Sequence, residues 1–483
     1  MSAIHDQAMN YVYQQVVHRL LSYFTRAERT ALQLLIQRLV VAAGGMERIG
    51  EYKVLFCHSG TQESCYTLAF LRAAQLSIAG RAPSTFQMRV VTQCFNSTSQ
   101  ATLDSMQRSY AALFLYDDPR VEVVMADNRE VLPFRHGTPL SQAGRDANRL
   151  NLLMVGHLRH REAPLDPGDD GYLSTGEMYG RLARWNGGVD ALINSDSPRQ
   201  QKRFLDGLSR AAHKVGLAIP LQGTSGFAEL FALLDSLGGD FFRELYSEQE
   251  REQWRPESEF ELWRRAHCIE IHDLILSNLE ACWPLFSEFL GVQPVDLVID
   301  SHENPYLSPQ ACAHLHGLYA LFVEDRGYEA GVTDFLHRIQ VMQRRQHASE
   351  PLAEGPQAAF NIDWTEYRTR ASTQAHAATG LTEAQLLCML FAPFVDEGAG
   401  LETFLRRCHP GMLVAMPDLH RALQTGQAPD QVLQWMLDVS GLPVSLLRRL
   451  YTMRSVSWEH GRAEASPATS SDVDPLGELS ARQ

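Results

Sequence analysis

The sequence predicts an α/β protein with a doubly wound, mainly parallel β-sheet and a long, all-helical C-terminal extension. From Tyr52 to about residue 240, short β-rich runs alternate with segments of helical periodicity, which is typical of a parallel sheet covered by helices. Beyond about Phe241 helical periodicity dominates, with one exception at VDLVID. A chain of 483 residues with 45% hydrophobic content can bury more than one core, so we expect two or three domains.

Charge and cysteine content argue against several classes of function, although a local basic groove is still compatible with the acidic composition. The formal net charge of −14 and a pI near 5.7 argue against broad contact with nucleic acid or an anionic membrane surface. The eight cysteines form no CxxC pair, so neither a zinc ribbon nor a disulfide framework is expected. The sequence contains no recognisable leader and no run of about 18 uncharged apolar residues, so the expected location is the cytoplasm.

Residues 1–48 are predicted to form two helices. Thr25 and Glu28 have the spacing of a capping box, and the apolar residues that follow recur on one helical face. We expect these helices to cover a sheet edge or to form a dimer contact.

Residues 49–240 contain the predicted sheet domain. The strands are expected at KVLFC, QMRVVTQC, VEVVMAD and GVDALINSDSP, with helices ending near Ser77 and running from about Thr98 to Leu115 and Met178 to Trp185. The segment RLNLLMVGHL fits either a strand or a helix, and EAPLDPGDDG is predicted to be an exposed loop. A helix over QQKRFLDGLSRAAHKVGL, the segment AIPLQGTS and a helix over GFAELFALLDSLGG complete this domain.

Two further helical regions are predicted at residues 241–346 and 361–457. Thr382 and Gln385 again have capping-box spacing, which indicates a helix start in the second of these regions. Residues 463–483 contain too few apolar side chains to form a core and are predicted to be a disordered tail.

The turn after the first strand is the strongest candidate for a binding site. The stretch CHSGTQES joins a buried strand to a helix through small residues, so the first backbone N–H groups of that helix lack intrahelical partners. Ligands of doubly wound sheets lie beyond the carboxyl ends of the strands, and helix N-termini favour anions. The sequence therefore predicts a phosphate site here.

The stretch SGTQES resembles the S-G-G-x-D-S loop of the PP-loop ATP pyrophosphatases, in the same strand-turn-helix context. The order of the later elements is similar to that of 7-cyano-7-deazaguanine synthase. VDALINSDSPRQQKRFLDGL resembles a strand that ends in an acidic residue and leads into a helix, and the likeness covers roughly residues 50–240.

The resemblance implies an enzyme that binds ATP with Mg²⁺ and splits it into AMP and pyrophosphate. Such enzymes adenylate a carboxylate or carbonyl oxygen, which a nitrogen or sulfur nucleophile then displaces. Asp196 would occupy the acidic catalytic position, and Arg199 and Lys202 could screen negative charge on a phosphate or an acidic substrate. The residues implied to hold the phosphates are Ser59, Gly60, Thr61, Gln62, Glu63 and Ser64.

Three features depart from the family pattern. Thr61 replaces the second glycine, so its Cβ restricts the backbone and the approach of a phosphate, and Glu63 replaces the aspartate. The four-cysteine zinc site of the deazaguanine enzymes is absent from the sequence, which argues against 7-cyano-7-deazaguanine as the product. Two interpretations stay open: a divergent enzyme with an unknown small-molecule or protein substrate, or a catalytically degenerate scaffold of the same fold that acts through protein–protein interaction in a homo-oligomer or multiprotein complex.

Several candidate residues also have a purely structural interpretation. Asp196 could cap the helix that begins near Pro198, and Lys202 and Lys214 could be solvated helix residues. The stretch VGHLRHRE, with His157, His160 and Arg161, could line the same cleft as the phosphate loop or form a surface loop.

A third interpretation is a helical, metal-dependent oxygenase. Nitrogen and oxygen ligands for a metal ion could come from the second half of the chain, where Asp334 and His337 share a helix face. The full candidate set is His302, Glu303, His314, His316, Asp334 and His337.

Overall fold

The computed structural model describes the two halves of the chain as predicted: a sheet with its covering helices, and a helical C-terminal region. The described residues are 3–95, 98–127, 130–137, 140–159, 168–217, 242, 245–250, 266–275, 279–293, 307, 309–346 and 363–455. The predicted segments AIPLQGTS, GFAELFALLDSLGG and VDLVID, and the tail 463–483, lie outside them.

Six strands of the described residues form one sheet. Their bounds are β1 Lys53–Cys57, β2 Gln87–Gln93, β3 Val121–Ala126, β4 Val131–Pro133, β5 Ala191–Asn194 and β6 His267–Glu270. The order across the sheet is β4-β3-β2-β1-β5-β6, and every neighbouring pair is parallel except β3 and β4. The predicted α/β class with a mainly parallel sheet is therefore confirmed.

Seven helices accompany the sheet in the described residues. They are α1 Ala3–Tyr23, α2 Arg26–Ala42, α3 Gln62–Ala79, α4 Gln100–Ala112, α5 Gln142–His157, α6 Asp169–Arg184 and α7 Pro198–Lys214. The ambiguous RLNLLMVGHL segment lies in helix α5. The prediction of an exposed loop over EAPLDPGDDG is wrong for its last residues, because Asp169 begins α6 and its side chain is fully buried.

The two faces of the sheet are covered by different helices. Val54 and Phe56 of β1 belong to a core shared with α1, α2, α3 and α4. Leu55, which points to the opposite face because strand side chains alternate, packs with α5, α6, α7 and the C-terminal helices. The helices thus wrap the sheet on both sides, as in a doubly wound fold.

The N-terminal helices pack mainly on α3. The predicted capping box is confirmed, since Thr25 accepts a hydrogen bond from the Glu28 amide and the Glu28 carboxylate accepts one from the Thr25 amide. Arg38 of α2 donates to the carbonyl of Glu270 at 2.7 Å and to Asp273 at 2.8 Å. Helix α2 therefore contacts the end of β6, the outermost strand among the described residues, and the expected contact with a sheet edge is found there.

A buried ion cluster fixes α3 to the loop before β3. Arg72 and Asp118 have fully buried side chains and lie 2.8 Å apart, and Arg120 lies 2.7 Å from the same carboxylate. Arg72 also donates to the carbonyl of Leu113 at 3.0 Å. Because this helix carries the candidate phosphate loop at its N-terminus, the cluster helps to set the position of that loop.

The sheet extends beyond the predicted domain boundary at residue 240. Strand β6 lies within residues 241–346, which were predicted to be helical, and pairs with β5 from His267 opposite Ala191 to Glu270 opposite Asn194. Short helical turns follow at His272–Leu274, Leu279–Cys282 and Leu285–Leu290, and their apolar side chains join the core of α1–α4.

The rest of the described chain is helical, which confirms the C-terminal extension. Thr382 and Gln385 form the predicted capping box at the start of α11. None of the helices in the described part of the chain combines the length and the apolar character that crossing a membrane requires. The helices are α8 Pro309–Phe322, α9 Tyr328–Gln346, α10 Trp364–Thr379, α11 Glu383–Phe391, α12 Leu401–Cys408, α13 Met416–Thr425, α14 Asp430–Ser440 and α15 Val444–Thr452.

Candidate functional site

The strand order defines one point where the connections diverge. From β1 the chain continues to β2 and β3 on one side, and β5 and β6 lie on the other side of β1. In open α/β sheets, ligands bind beyond the carboxyl ends of the strands at such a switch point. The turn after β1 and the turn after β5 both lie there, and together we call them the mouth: residues 58–64 and 194–202.

Gly60 sets the shape of the first turn. It has a φ of +82°, a left-handed conformation that glycine adopts without the strain a Cβ would cause. Thr61 follows with φ −73° and ψ 159°, an ordinary extended conformation, so its Cβ imposes no backbone strain. The positive φ falls on the preceding residue, so the restriction expected at the threonine causes no strain in this turn, and its effect on the approach of a phosphate stays a prediction.

Thr61 caps α3. Its hydroxyl oxygen accepts a hydrogen bond from the Ser64 amide at 3.2 Å and lies 3.1 Å from the Ser59 hydroxyl. The buried Ser64 hydroxyl donates back to the Thr61 carbonyl at 3.0 Å. Ser59 is exposed, so among these three residues it is the hydroxyl best placed to meet a ligand from solvent.

Gln62 and Glu63 contact neighbouring elements. The Gln62 side chain donates to the carbonyl of Leu279 at 3.2 Å, which ties the loop to the segment after β6. The Glu63 carboxylate accepts a hydrogen bond from the Gln200 side chain at 2.9 Å. This hydrogen bond between side chains links the N-terminus of α3 to that of α7 across the mouth.

The second turn begins at Asn194, the last residue of β5. Its side chain is 7% exposed; its Oδ1 accepts from the Asp196 amide at 3.2 Å, and its Nδ2 has no hydrogen-bond partner among the described residues. Asp196 was considered as a cap for the following helix, but Ser197 occupies that position and forms a capping box with Gln200. Ser197, and not Asp196, is therefore the N-cap of α7.

The Asp196 carboxylate lies close to two thiols on the α6 and α7 side of the sheet. Burial raises the pKa of both Cys57 and Cys268 to about 12, and the negative charge of Asp196 adds to each rise. Tyr179 of α6 forms a hydrogen bond with Cys57 and opposes the rise there. Both thiols therefore stay protonated at neutral pH, and neither adds a negative charge to the mouth.

Arg199 and Lys202 lie on the first two turns of α7, and both side chains are exposed. Their spacing of three residues puts them on one side of the helix. The structure therefore brings all the predicted residues, 59–64, 196, 199 and 202, to the two turns at the switch point.

His58 begins the first turn, and its ring contacts polar side chains inside the protein. It is fully buried; its Nδ1 lies 2.8 Å from the Tyr110 hydroxyl, which in turn lies 2.9 Å from the Thr92 hydroxyl, and its Nε2 lies 3.4 Å from the Cys65 sulfur. Burial lowers the pKa of His58 to about 3, so the imidazole is neutral at physiological pH. Sequence reasoning missed this residue, although its place directly after a buried strand is a usable signal.

His157 is neither in a surface loop nor in the mouth. It ends α5, is fully buried, and its ring centroid lies 6.1 Å from that of Phe394, while a Cβ on Gly156 would collide with Met389. Burial lowers the pKa of His157 to about 4. His160 and Arg161 lie outside the described residues.

Lys214 is not a solvated residue. Its ammonium forms a buried ion pair with Asp169, whose carboxylate also lies 2.7 Å from Arg210. Lys214 therefore joins the end of α7 to the start of α6, which is a structural role.

The candidate metal ligands that lie in the described ranges have separate partners. His314 is buried with Nδ1 2.8 Å from the Tyr328 hydroxyl, His316 stacks on Phe335, and Asp334 pairs with Arg326. His302 and Glu303 lie outside the described ranges. Within those ranges, no group of three or more His, Cys, Asp or Glu side chains is placed to hold a metal ion.

Comparison of the chain with protein-family models, curated proteins and solved structures gave no match.

Proposed function

We propose that this chain binds ATP with Mg²⁺ at the mouth and acts as a divergent ATP pyrophosphatase that adenylates a carboxylate or carbonyl oxygen of a second substrate. The observation that carries the proposal is the turn at Gly60, which has a φ of +82° and joins the end of β1 to the N-terminus of α3 at the switch point of the sheet. Backbone N–H groups in this position bind phosphate without a charged side chain.

The residues of the first turn suit a triphosphate chain. The amides of Gln62 and Glu63 precede the first intrahelical hydrogen bond of α3, and the exposed Ser59 hydroxyl stands next to the Thr61 cap. These groups would hold phosphoryl oxygens, and the helix dipole adds a favourable interaction with their charge.

Two carboxylates of the mouth have the chemistry that Mg²⁺ prefers. Glu63 and Asp196 would supply carboxylate oxygens from its two turns, and Mg²⁺ in nucleotide sites is usually held by one or two carboxylates together with the phosphates. When bound, the ion would neutralise phosphate charge and the repulsion between these carboxylates and the nucleotide.

The proposed reaction has two displacements. The substrate oxygen attacks the α-phosphorus of ATP, the bond from that phosphorus to the bridging oxygen breaks, and pyrophosphate leaves with the electron pair. A nitrogen or sulfur nucleophile then attacks the adenylated carbon and AMP leaves. Arg199 and Lys202 on α7 would screen the charge that accumulates on the leaving pyrophosphate.

One observation favours the second candidate function, a scaffold of the same fold without catalysis. The Gln62 and Glu63 side chains already bond to Leu279 and Gln200, so two side chains of the loop are engaged within the fold. Such a scaffold would act through a protein partner and would release no pyrophosphate.

Pyrophosphate release separates the two candidates. Purified protein with ATP and Mg²⁺ is screened against carboxylate and carbonyl compounds, beside Ser59→Ala and Glu63→Gln; the glutamine keeps an acceptor for Gln200 but removes the charge. Ser22→Ala, which removes only a local bond to the Arg19 carbonyl in α1, is the matched control. We expect release that both mouth variants lose and the control retains. Release that survives Ser59→Ala and Glu63→Gln would overturn the proposal, and no release with any compound would favour the scaffold.

A further inference from the structure

Asn194 has a buried amide that is only half satisfied. The side chain is 7% exposed, and its Nδ2 has no hydrogen-bond partner in the part of the chain that the structure describes. A buried donor without an acceptor is destabilising, and such groups in native proteins call for a physical reason. A ligand that supplies the acceptor is one such reason.

The contact with Asp196 fixes which end of the amide is unsatisfied. A backbone N–H can only donate, so the atom 3.2 Å from the Asp196 nitrogen is the amide oxygen of Asn194. The remaining end is the NH₂ group, which donates and does not accept. Whatever meets it must therefore present an oxygen or another acceptor.

The position of Asn194 favours an anion as that acceptor. Ile193 pairs with Phe56, so Asn194 lies beside Cys57, the last residue of β1, where the turn to α3 begins. The N-termini of α3 and α7, joined by the bond of 2.9 Å between Glu63 and Gln200, flank this point. Both helix ends attract negative charge.

We propose that Nδ2 of Asn194 donates a hydrogen bond to a phosphoryl oxygen held in the mouth. The inference rests on the proposed function, because it assigns a further residue to the phosphate end of the nucleotide. The ligand would contact two neighbouring strands at once: the turn after β1 and the last residue of β5. The nearby Asp196 carboxylate repels a bare phosphate, so binding is stronger when Mg²⁺ is present.

The test uses pyrophosphate with Mg²⁺ as the probe, titrated calorimetrically into the full chain. Asn194→Leu removes both polar atoms with a side chain of the same branching but larger volume, and Asn194→Asp keeps the acceptor for the Asp196 amide while replacing the donor with an oxygen. Asn151→Asp is the matched control: Asn151 is 1% exposed, its Oδ1 accepts from the Tyr246 hydroxyl at 2.8 Å, and its Nδ2 also has no partner among the described residues. It lies on α5, outside the mouth.

We expect pyrophosphate affinity to fall at least about tenfold in both Asn194 variants and to be unchanged in Asn151→Asp, since a hydrogen bond to a charged group is lost only at the mouth. A merely structural Asn194 would instead lower the melting temperature of both variants and leave the affinity of the folded protein unchanged, which overturns the inference.

Failure of the inference and failure of the proposed function give different results. Loss of ATP binding in Ser59→Ala with normal pyrophosphate binding in both Asn194 variants would remove Asn194 from the site and leave the proposed function standing. Pyrophosphate binding that depends on Asn194, without any ATP binding, would keep Asn194 in an anion site and overturn the proposed function. A wild-type protein that binds neither ligand would overturn both.

Discussion

Replacement of Gly60 by alanine tests the local conformation on which the candidate site depends. Gly60 has a φ of +82°, and an L-residue in that region carries strain from its Cβ. We expect Gly60→Ala to lower the free energy of unfolding and also to displace the groups that would hold the phosphates.

The stability cost alone should be modest. A left-handed conformation costs a residue with a Cβ roughly 1–2 kcal/mol, a small part of the stability of a typical domain. Most of the protein should therefore stay folded, and any loss of ligand binding must come from the changed turn. Misplacing one or two hydrogen bonds to a charged phosphate should weaken ATP binding about tenfold or more.

Gly216 provides the matched control. Its φ is +79°, nearly that of Gly60, and a Cβ built there meets no atom within 4 Å. It follows α7 at the end remote from the mouth. Gly216→Ala should therefore show a similar loss of stability without any change in ATP binding.

The assay combines urea denaturation with equilibrium dialysis against ATP and Mg²⁺. Both variants should unfold at lower urea concentration than the wild type, and only Gly60→Ala should bind ATP more weakly. If Gly60→Ala and Gly216→Ala have the same ATP affinity as the wild type, the turn does not hold the nucleotide and the reasoning fails.

Three further predictions concern the groups around the site. Arg72→Met leaves the buried Asp118 with Arg120 as its one ion partner in the described ranges, so we expect a loss of about 3–5 kcal/mol in urea denaturation. A loss below about 1 kcal/mol would show that the cluster is not needed. Burial lowers the pKa of native His58 to about 3, whereas His58 of the unfolded chain takes up a proton below about pH 6.5, so the free energy of unfolding should fall on acidification. His58→Gln should therefore remove about 2 kcal/mol of the difference in this free energy between pH 7 and pH 5, and an equal pH dependence in variant and wild type would contradict this. Lys214→Met should destabilise the fold through the buried Asp169 without altering the ATP affinity of the folded protein, and a selective loss of that affinity would give Lys214 a role in binding.

Local sequence signals located the first half of the candidate site well. The strand KVLFC is a short buried run, the small residues after it form a turn, and the apolar residues that follow recur along a helix. These properties depend only on neighbouring residues, so the strand, the turn at Gly60 and the start of α3 could all be predicted.

The missed features depend on contacts between distant parts of the chain. The position of Asn194 beside the end of β1 follows from the pairing of β5 with β1, which no local pattern reveals. The strand HCIE has only four residues of mixed polarity and forms because β5 offers it an edge. Asp169 lies in a stretch with the composition of a loop, yet it is buried because Lys214 and Arg210 pair with it.

The central claim is that a nucleotide binds at the turn after β1, and calorimetric titration with ATP and Mg²⁺ tests it most directly. The wild type and Ser59→Ala are compared, since the exposed Ser59 hydroxyl contacts only Thr61 among the hydrogen bonds of the described turn. We expect saturable binding by the wild type and a marked loss of affinity in the variant. Equal binding by both proteins, or no binding by either, would contradict a nucleotide site at this turn.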